Sequence, residues 1–246
     1  MANLWRYIDS DLIDGSTSQA IDEVILNARL NGLVPNTLHQ YRRKPPAVSI
    51  GRYQRIEEVA NPKYCRDRGI DIIRRISGGG TIYTDSNCLE YTIVVDQQYP
   101  TIPMNLEGSF QVICTGIIIA LKKLGIEASY KPINDVLVGG RKVSGSAQRR
   151  RRILLQHGTL LMDADFVTMS QALKRESAPI LMKKLTTIRR EAPRAYRVEE
   201  IQESLKTGFE ETLSMKVVKK QLIPWEKEKI KALAEKYRSR SWIFQL

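Results

Sequence analysis

The chain has 246 residues, 42% hydrophobic and 27% charged, so it can bury a substantial core in one large domain. Its 39 lysines and arginines outnumber its 27 aspartates and glutamates, and the net charge of +12 favours an acidic partner. The three cysteines lack CxxC spacing and lie far from both histidines in the sequence, which argues against a disulfide framework and a structural zinc site. Without a signal core or an apolar stretch of membrane-spanning length, the sequence predicts a cytoplasmic protein.

The first fifty residues predict strands on either side of a helix. Residues 4–8 have strand character, and a loop around Asp14 leads into a helix capped by Ser18. The apolar positions of that helix recur at helical spacing. Two more strands are predicted at residues 37–41 and 47–50.

Further along, Asn61 and Pro62 are typical of a helix start, and Gly69 of its end. Residues 89–95 predict a strand. Residues 110–124 predict the most apolar helix of the chain, whose near-uniform apolarity implies burial against a sheet.

Residues 74–83 read Arg-Arg-Ile-Ser-Gly-Gly-Gly-Thr-Ile-Tyr, and this segment does not resemble an ordinary strand. Three glycines in succession are tolerated mainly where the backbone adopts unusual dihedral angles or lies close to a ligand. Flanking guanidinium groups favour an anionic ligand, which could carry a phosphate. A tight hairpin turn is the alternative.

Residues 134–148 form a second informative segment. Residues 136–138 and 141–144 predict a hairpin around a Gly-Gly turn, and the small residues 144–147 would leave a groove in the sheet. Lys142 would lie at the mouth of that groove, where an ammonium could neutralise a phosphate, although most lysines are simply solvated. Asp135 could help to hold magnesium, or could be a turn residue.

Four arginines at residues 149–152 predict an exposed turn before a strand at residues 153–162. Such a turn is usually solvated, and a functional role would be contact with an acidic partner. His157 lies within the strand and is more typical of a satisfied core histidine than of a catalyst. No cysteine has a histidine nearby in the sequence, so all three are interpreted as structural.

Beyond Asp163 the pattern becomes helical, with helices predicted at residues 166–173, 198–213 and 225–237 and a basic loop at residues 185–190. No repeat or linker divides the chain. The sequence therefore predicts a single domain over residues 1–246, with a helical part from about residue 164 to residue 246.

The segment at residues 74–85 resembles the RR-x-[ST]-GGG-[AT]-V-[YF]-x-D signature of the lipoate–protein ligase family. Residues 134–136, 141–147 and 157–161 resemble the family's next three blocks, in the same order and at similar spacing. Residues 187–189 fall where the family has a short Ser/Thr-x-Arg segment. The likeness covers nearly the whole chain, to about Trp242.

This resemblance implies an α/β catalytic domain similar to that of biotin ligases, with mixed, mostly antiparallel sheets packed with helices. It also implies that lipoate and ATP, with Mg²⁺, give lipoyl-adenylate. The lipoyl group would then pass to a lysine of an acidic lipoyl domain, from a 2-oxoacid dehydrogenase E2 or a glycine-cleavage H-protein.

By correspondence with the family's motifs, Lys142 is the expected catalytic residue, contacting the carboxylate oxygen and the adenylate phosphate. Asp135 is the tentative magnesium ligand, and Asn134 would serve the nucleotide end. The implied ATP- and lipoyl-adenylate-binding residues are Arg75, Ser77, Gly78, Gly79, Gly80, Thr81, Ile82, Tyr83, Asn134, Asp135, Ser144, Gly145, Ala147, His157, Gly158 and Thr159.

Two departures from the family pattern bear on function. The larger bacterial ligases continue into a small C-terminal domain, whereas this sequence ends at Leu246, so a separate small accessory subunit is expected. The sister class of octanoyl and lipoyl transferases shares much of the signature and works through a cysteine acyl-enzyme. Gln148 and residues 155–158 resemble the transferases, whereas Asn134 and Asp135, with no cysteine beside them, resemble the ligases.

The main interpretation is an ATP-dependent lipoate ligase, and the alternative is a cysteine-dependent acyltransferase. A nucleic-acid-binding protein is a remote third reading, since it rests on net charge without a recognisable motif. The sequence therefore predicts neither a nucleic-acid partner nor a membrane partner.

Overall fold

The computed structural model describes residues 3–174 and 176–246. Its strands are β1 (Asn3–Ile13), β2 (Thr37–Arg43), β3 (Ala47–Ile50), β4 (Asp71–Arg74), β5 (Ile82–Thr84), β6 (Cys88–Asp96), β7 (Ser129–Lys131), β8 (Asp135–Val138), β9 (Arg141–Arg150), β10 (Ile153–Leu161) and β11 (Met215–Lys219). Its helices are α1 (Gly15–Leu30), α2 (Ile56–Val59), α3 (Pro62–Asp67), α4 (Leu106–Lys123), α5 (Phe166–Ala172), α6 (Ala178–Lys184), α7 (Ile188–Glu191), α8 (Val198–Thr212), α9 (Pro224–Arg238) and α10 (Arg240–Ile243).

Eight of these strands form one mixed sheet in the order β11-β1-β2-β6-β10-β9-β8-β7, and three form a smaller sheet in the order β4-β3-β5. The pairs β1–β11, β1–β2 and β3–β4 are parallel, and the other pairs are antiparallel. The predicted α/β class, with mixed and mostly antiparallel sheets, is confirmed.

Helices cover both faces of the large sheet because its central strands are apolar on both sides. Along β6, Ile93 belongs to the core beneath α4 and α8, whereas the next residue, Val94, belongs to the core beneath α1 and α9. Helices α4 and α8 pack closely, since a Cβ atom on Gly208 would lie 3.0 Å from the backbone nitrogen of Ala120. None of the described helices is long and apolar enough to cross a membrane.

The glycine-rich segment joins β4 to β5, and these two strands do not pair with each other. Both pair with β3, which lies between them, so the chain passes from one edge of the small sheet to the other. The hairpin-turn alternative for this segment is therefore wrong. By contrast, β8 and β9 do form the predicted hairpin, with positive φ angles of 54° and 78° at Gly139 and Gly140.

Other element predictions are confirmed with small changes at their ends, and three are wrong in part. Asp14, not Ser18, caps α1, since the Asp14 carboxylate accepts from the backbone N–H of Thr17 at 3.0 Å. The basic loop at residues 185–190 contains the short helix α7. The helical C-terminal part also contains β11, which extends the large sheet beside β1.

Arg74 joins the small sheet to the C-terminal helices, and its guanidinium is fully buried. It donates to the carbonyl oxygens of Gln54 at 2.7 Å and Arg52 at 3.0 Å. From the other side it donates to the carbonyl oxygen of Ile243 at 2.8 and 2.9 Å, and Trp242 returns a hydrogen bond to the Arg74 carbonyl at 2.9 Å. This one side chain therefore holds the start of the glycine segment against α10.

We expect Arg74→Met to lower the free energy of unfolding by about 3 kcal/mol or more, because several buried carbonyl groups would lose a charged donor. Urea unfolding followed by circular dichroism measures this change. Arg66→Met, at an exposed position of α3, is the matched control and should change stability by less than about 0.5 kcal/mol. Equal stability of the two variants would contradict the role given to Arg74.

Candidate active site

The glycine segment is shaped by Arg75, whose guanidinium is only 4% exposed. It donates to the carbonyl oxygens of Ser49 at 2.9 Å, Gly78 at 2.9 Å and Gly80 at 2.6 Å. Burial, together with the nearby Arg43 charge, lowers the pKa of Arg75 to about 10. Its donors are committed to backbone carbonyls, so Arg75 organises the segment in addition to lining the site.

The glycine backbone is open to a ligand. Gly79 and Gly80 are exposed. The backbone φ angle of Gly79 is +92°, a value that residues with a side chain rarely adopt. Gly51 packs directly behind, where a Cβ atom would collide with the carbonyl oxygen of Gly79. The segment therefore combines a fixed rear face with an exposed front face.

Lys142 lines both a cavity of about 140 Å³ and an adjoining groove of about 940 Å³. Its side chain is 35% exposed, and its Nζ atom lies 2.7 Å from Oδ1 of Asp135. A Cβ atom on Gly145 would lie 2.5 Å from the Lys142 Cε atom, so the lysine occupies the space that the small residue leaves. Lys142 thus lies beside the small residues of β9, and its predicted catalytic role stays a prediction.

A β-bulge produces this arrangement. The register of β8 against β9 shifts between Val136 and Leu137, so that Val136 pairs with Ser144 while Leu137 pairs with Lys142. A bulge re-aims a side chain relative to the regular alternation of a strand. Lys142 thereby lies beside Gly145 and faces Asp135.

Behind the cavity wall runs a buried chain of hydrogen bonds. Ser77 Oγ lies 2.6 Å from Nε2 of His157, and Nδ1 of His157 lies 3.2 Å from Oδ2 of Asp22. The other Asp22 oxygen lies 3.4 Å from Nδ1 of His39, whose Nε2 lies 3.0 Å from Ser10 Oγ. Both histidines of the protein therefore contact one buried carboxylate.

The charge state of Asp22 follows from these contacts. Burial alone would raise the pKa of this carboxyl group, but hydrogen bonds from His157 and His39 outweigh burial and lower the pKa to about 2. Asp22 is therefore ionised at neutral pH. It can hold the His157 ring in one orientation.

Most residues predicted for the site lie together. Ser77 lies behind the cavity wall and is hydrogen-bonded to His157. The carbonyl oxygen of Gly78 accepts a hydrogen bond from Arg75. Tyr83, Asp135 and Ser144 line the groove. The predicted residues that line the cavity are Arg75, Gly79, Gly80, Thr81, Ile82, Asn134, Lys142, Gly145, Ala147, His157, Gly158 and Thr159.

The nucleotide and magnesium roles given to Asn134 and Asp135 stay predictions. The side-chain amide of Asn134 donates to the carbonyl oxygen of Ser146 at 2.5 Å, and Asp135 is paired with Lys142. Within residues 3–174 and 176–246, no group of three histidine, cysteine or acidic side chains is arranged to hold a metal ion.

Sequence reasoning missed part of the site. Asp22 and His39 belong to the buried chain of hydrogen bonds, and a carboxylate on the apolar face of α1 was the signal that could have found Asp22. The cavity-lining residues that were missed are Gln19, Tyr41, Arg43, Ser49, Glu90 and Ser146.

The three cysteines are buried and do not pair in disulfides. Burial raises the pKa of Cys114 to about 12 and that of Cys65 to about 11, and it raises the pKa of Cys88 well above its usual range. Thiols of this kind are protonated at neutral pH and are poor nucleophiles.

Comparison with known proteins identifies the family. The model of the lipoyl protein ligase A/B catalytic domain matches residues 14–210, which is more than half of the chain. The chain belongs to this family. It is therefore an enzyme of the lipoate ligase and transferase family, and a role in protein lipoylation is supported.

Curated relatives in the family carry the name Octanoyltransferase LipM. The Halalkalibacterium halodurans protein is 28% identical, covering 98% of this chain and 99% of its own length. The Clostridioides difficile protein is 30% identical, with 98% of each chain covered. A solved bipartite lipoate protein ligase from Thermoplasma acidophilum superposes with a TM-score of 0.87 over 98% of this chain and 96% of its own, at 24% identity, and so shows the shared fold.

These relatives overturn the main functional interpretation. The sequence analysis favoured an ATP-dependent lipoate ligase, yet the full-length curated relatives are octanoyltransferases. That interpretation was wrong, because the motif blocks are shared by both classes. Asn134 and Asp135 were given the deciding weight, and these two residues did not separate the classes.

Asp22→Asn tests the buried chain of hydrogen bonds through stability. Folding lowers the pKa of Asp22, so its carboxylate stabilises the fold above about pH 4 and loses that contribution as the pH falls toward 2. Wild type should therefore exceed Asp22→Asn in stability at pH 6, and the difference should shrink by about 2 kcal/mol on acidification. Urea unfolding at several pH values measures both.

The matched control is Asp11→Asn, which removes an exposed carboxylate. Its stability should follow the wild-type pH dependence. A pH-independent difference between wild type and Asp22→Asn would contradict the assignment.

Proposed function

We propose that this chain is an acyltransferase that moves an octanoyl group onto the lysine amine of a lipoyl domain. The observation that carries the proposal is the position of Lys142, which lines both the cavity and the groove. The name of the full-length curated relatives supports the acyl group. An acyl chain in the cavity and an acceptor amine in the groove would meet at this lysine.

The chemistry of the transfer uses the Lys142 charge. The donor must carry an already activated acyl group, and we assign it by class as a thioester. The acceptor amine attacks the carbonyl carbon, the carbonyl oxygen gains negative charge, and the Lys142 ammonium stabilises it. The C–S bond then breaks, the amide forms, and the thiolate takes up a proton.

His157 is the candidate base for this step. A lysine amine is protonated at neutral pH and must lose a proton before it attacks. Both ring nitrogens of His157 are hydrogen-bonded, Nδ1 to the ionised Asp22 at 3.2 Å and Nε2 to Ser77 Oγ at 2.6 Å, so the proton would reach the ring through the Ser77 hydroxyl. If His157 takes up this proton, Asp22→Asn should lower kcat about 100-fold with little change in KM. Unchanged kcat in that variant would rule out the role.

The groove fits an acidic acceptor. Its lining carries five lysines and two acidic residues: Lys131, Lys142, Lys174, Lys183, Lys184, Asp135 and Glu176. The net charge of +12 also favours an acidic partner, since attraction between opposite charges speeds association. The Thermoplasma acidophilum enzyme was solved as a lipoylation system with its E2 lipoyl domain. A separate accessory chain and a glycine-cleavage H-protein as acceptor stay predictions.

We expect Lys142→Met to lower the rate of octanoyl transfer at least 100-fold while the fold is kept, because the oxyanion would lose its charged partner. The assay mixes an octanoyl thioester with an apo lipoyl domain and follows the mass of the domain. Lys63→Met, on the exposed surface of α3, should transfer at the wild-type rate. Near-normal turnover by Lys142→Met would refute the assigned role.

The buried thiols indicate direct transfer without an acyl-enzyme. We therefore expect Cys65→Ser, Cys88→Ser and Cys114→Ser each to keep at least half of the wild-type rate per folded molecule. Mass spectrometry of the enzyme mixed with donor alone should find no acyl adduct. An octanoyl adduct on a cysteine, lost together with activity in one serine variant, would instead establish the covalent route.

A further inference from the structure

The cavity extends across four strands of the large sheet, so its lining residues can be placed in order. Gly145 of β9 pairs with Thr159 of β10, and Thr159 pairs in turn with Glu90 of β6. Glu90 pairs with Tyr41 of β2. Residues paired across antiparallel strands lie on the same face of the sheet, and all four of these residues line the cavity. They therefore form one row that leads from β9 to the inner end of the cavity.

The spacing of the strands converts this order into distances. Neighbouring strands lie about 4.8 Å apart, so along the row Glu90 lies about 10 Å and Tyr41 about 14 Å from Gly145. The Lys142 side chain occupies the space beside Gly145. An acyl group whose carbonyl is held at Lys142 thus has about 10 Å of cavity before its chain reaches Glu90.

This length matches the acyl group of the proposed reaction. Three bonds of an extended chain span at most about 3.6 Å, so the seven bonds of an octanoyl chain span about 8 Å from carbonyl carbon to methyl group. The methyl group would therefore end beside Glu90. Further CH₂ groups would extend the chain into the position of the Glu90 side chain.

Arg43 and Glu90 close the inner end of the cavity as a buried ion pair. The Arg43 Nε atom lies 3.0 Å from Oε2 of Glu90, and each side chain is only 3% exposed. Arg43 also donates to Oγ1 of Thr84, on β5 of the small sheet, at 3.1 Å. Its Cζ atom lies 5.8 Å from the centroid of the Tyr41 ring. Contacts from both sheets therefore hold this end wall in place.

A buried ion pair is an effective end wall for an alkyl chain. A methyl group can lie against the paired charges, whereas a longer chain must push the two side chains apart. Separating two buried charges costs more free energy than the burial of one or two CH₂ groups gains. The wall therefore discriminates against chains longer than octanoyl.

We propose that the Arg43–Glu90 ion pair sets the chain length of the acyl group, so that both residues determine specificity. This inference rests on the proposed acyltransferase function, because that function places an acyl chain in the cavity with its carbonyl at Lys142. The substrate class is then a medium-chain acyl group no longer than octanoyl.

Equilibrium binding of free fatty acids tests the inference without requiring turnover. The probes are octanoate, decanoate and dodecanoate, titrated calorimetrically into wild type and into the double variant Arg43→Ala/Glu90→Ala. We expect wild type to bind octanoate at least about tenfold more tightly than dodecanoate, since the longer chain meets the ion pair. The double variant lacks the wall and leaves no unpaired charge, so it should bind dodecanoate at least as tightly as octanoate.

A second buried ion pair supplies the matched control. Arg6 and Glu226 are 5% and 0% exposed and lie 2.8 Å apart, but neither lines the cavity. Arg6→Ala/Glu226→Ala should keep the wild-type preference for octanoate. Arg43→Met/Glu90→Ala keeps more of the side-chain volume, so it serves if the double alanine variant fails to fold by circular dichroism.

An unchanged preference for octanoate in both Arg43/Glu90 double variants would overturn the inference, because the chain would then end elsewhere. Equal binding of the three acids by wild type would overturn it as well. Failure of the proposed function is a separate result. In that case wild type would transfer no octanoyl group to a lipoyl domain, while the chain-length preference and its loss in the double variants would remain.

Discussion

The architecture of the site depends on two adjacent guanidinium groups that bind backbone carbonyls. Arg75 fixes the glycine segment from within, through Ser49, Gly78 and Gly80, and Arg74 fixes its start against α10. A charged donor can satisfy several carbonyls that regular structure leaves unpaired, and burial strengthens each bond. The exposed front of the segment can therefore remain without side chains and still keep one shape.

In the proposed reaction, Lys142 supplies positive charge and His157 accepts a proton. Lys142 lies at the mouth, partly exposed and beside one carboxylate, where a positive charge is useful to a reaction that develops negative charge. His157 lies deeper and is held by the buried carboxylate of Asp22. The two groups reach the cavity from neighbouring strands, β9 and β10, so the sheet sets their separation.

The sequence predicted the strands, the long helices and most of the cavity lining, because glycine runs, small-residue runs and apolar periodicity are local signals. It could not predict that β4 and β5 flank β3, since strand order is a long-range property. Asp22 and Gln19 were missed for a related reason: each lies on a helix far along the chain from the strands it meets. The choice between ligase and transferase also failed, because the two classes share the motif blocks on which it rested.

The bond between Arg74 and Ile243 also has a consequence for synthesis. It joins residues 169 positions apart, so loop closure across most of the chain precedes it. A ribosome-bound chain can pair β3 with β4 and β5 early, yet the anchor on α10 forms only after residue 243 has emerged. A nascent chain that has not yet reached α10 therefore lacks this anchor of the candidate site.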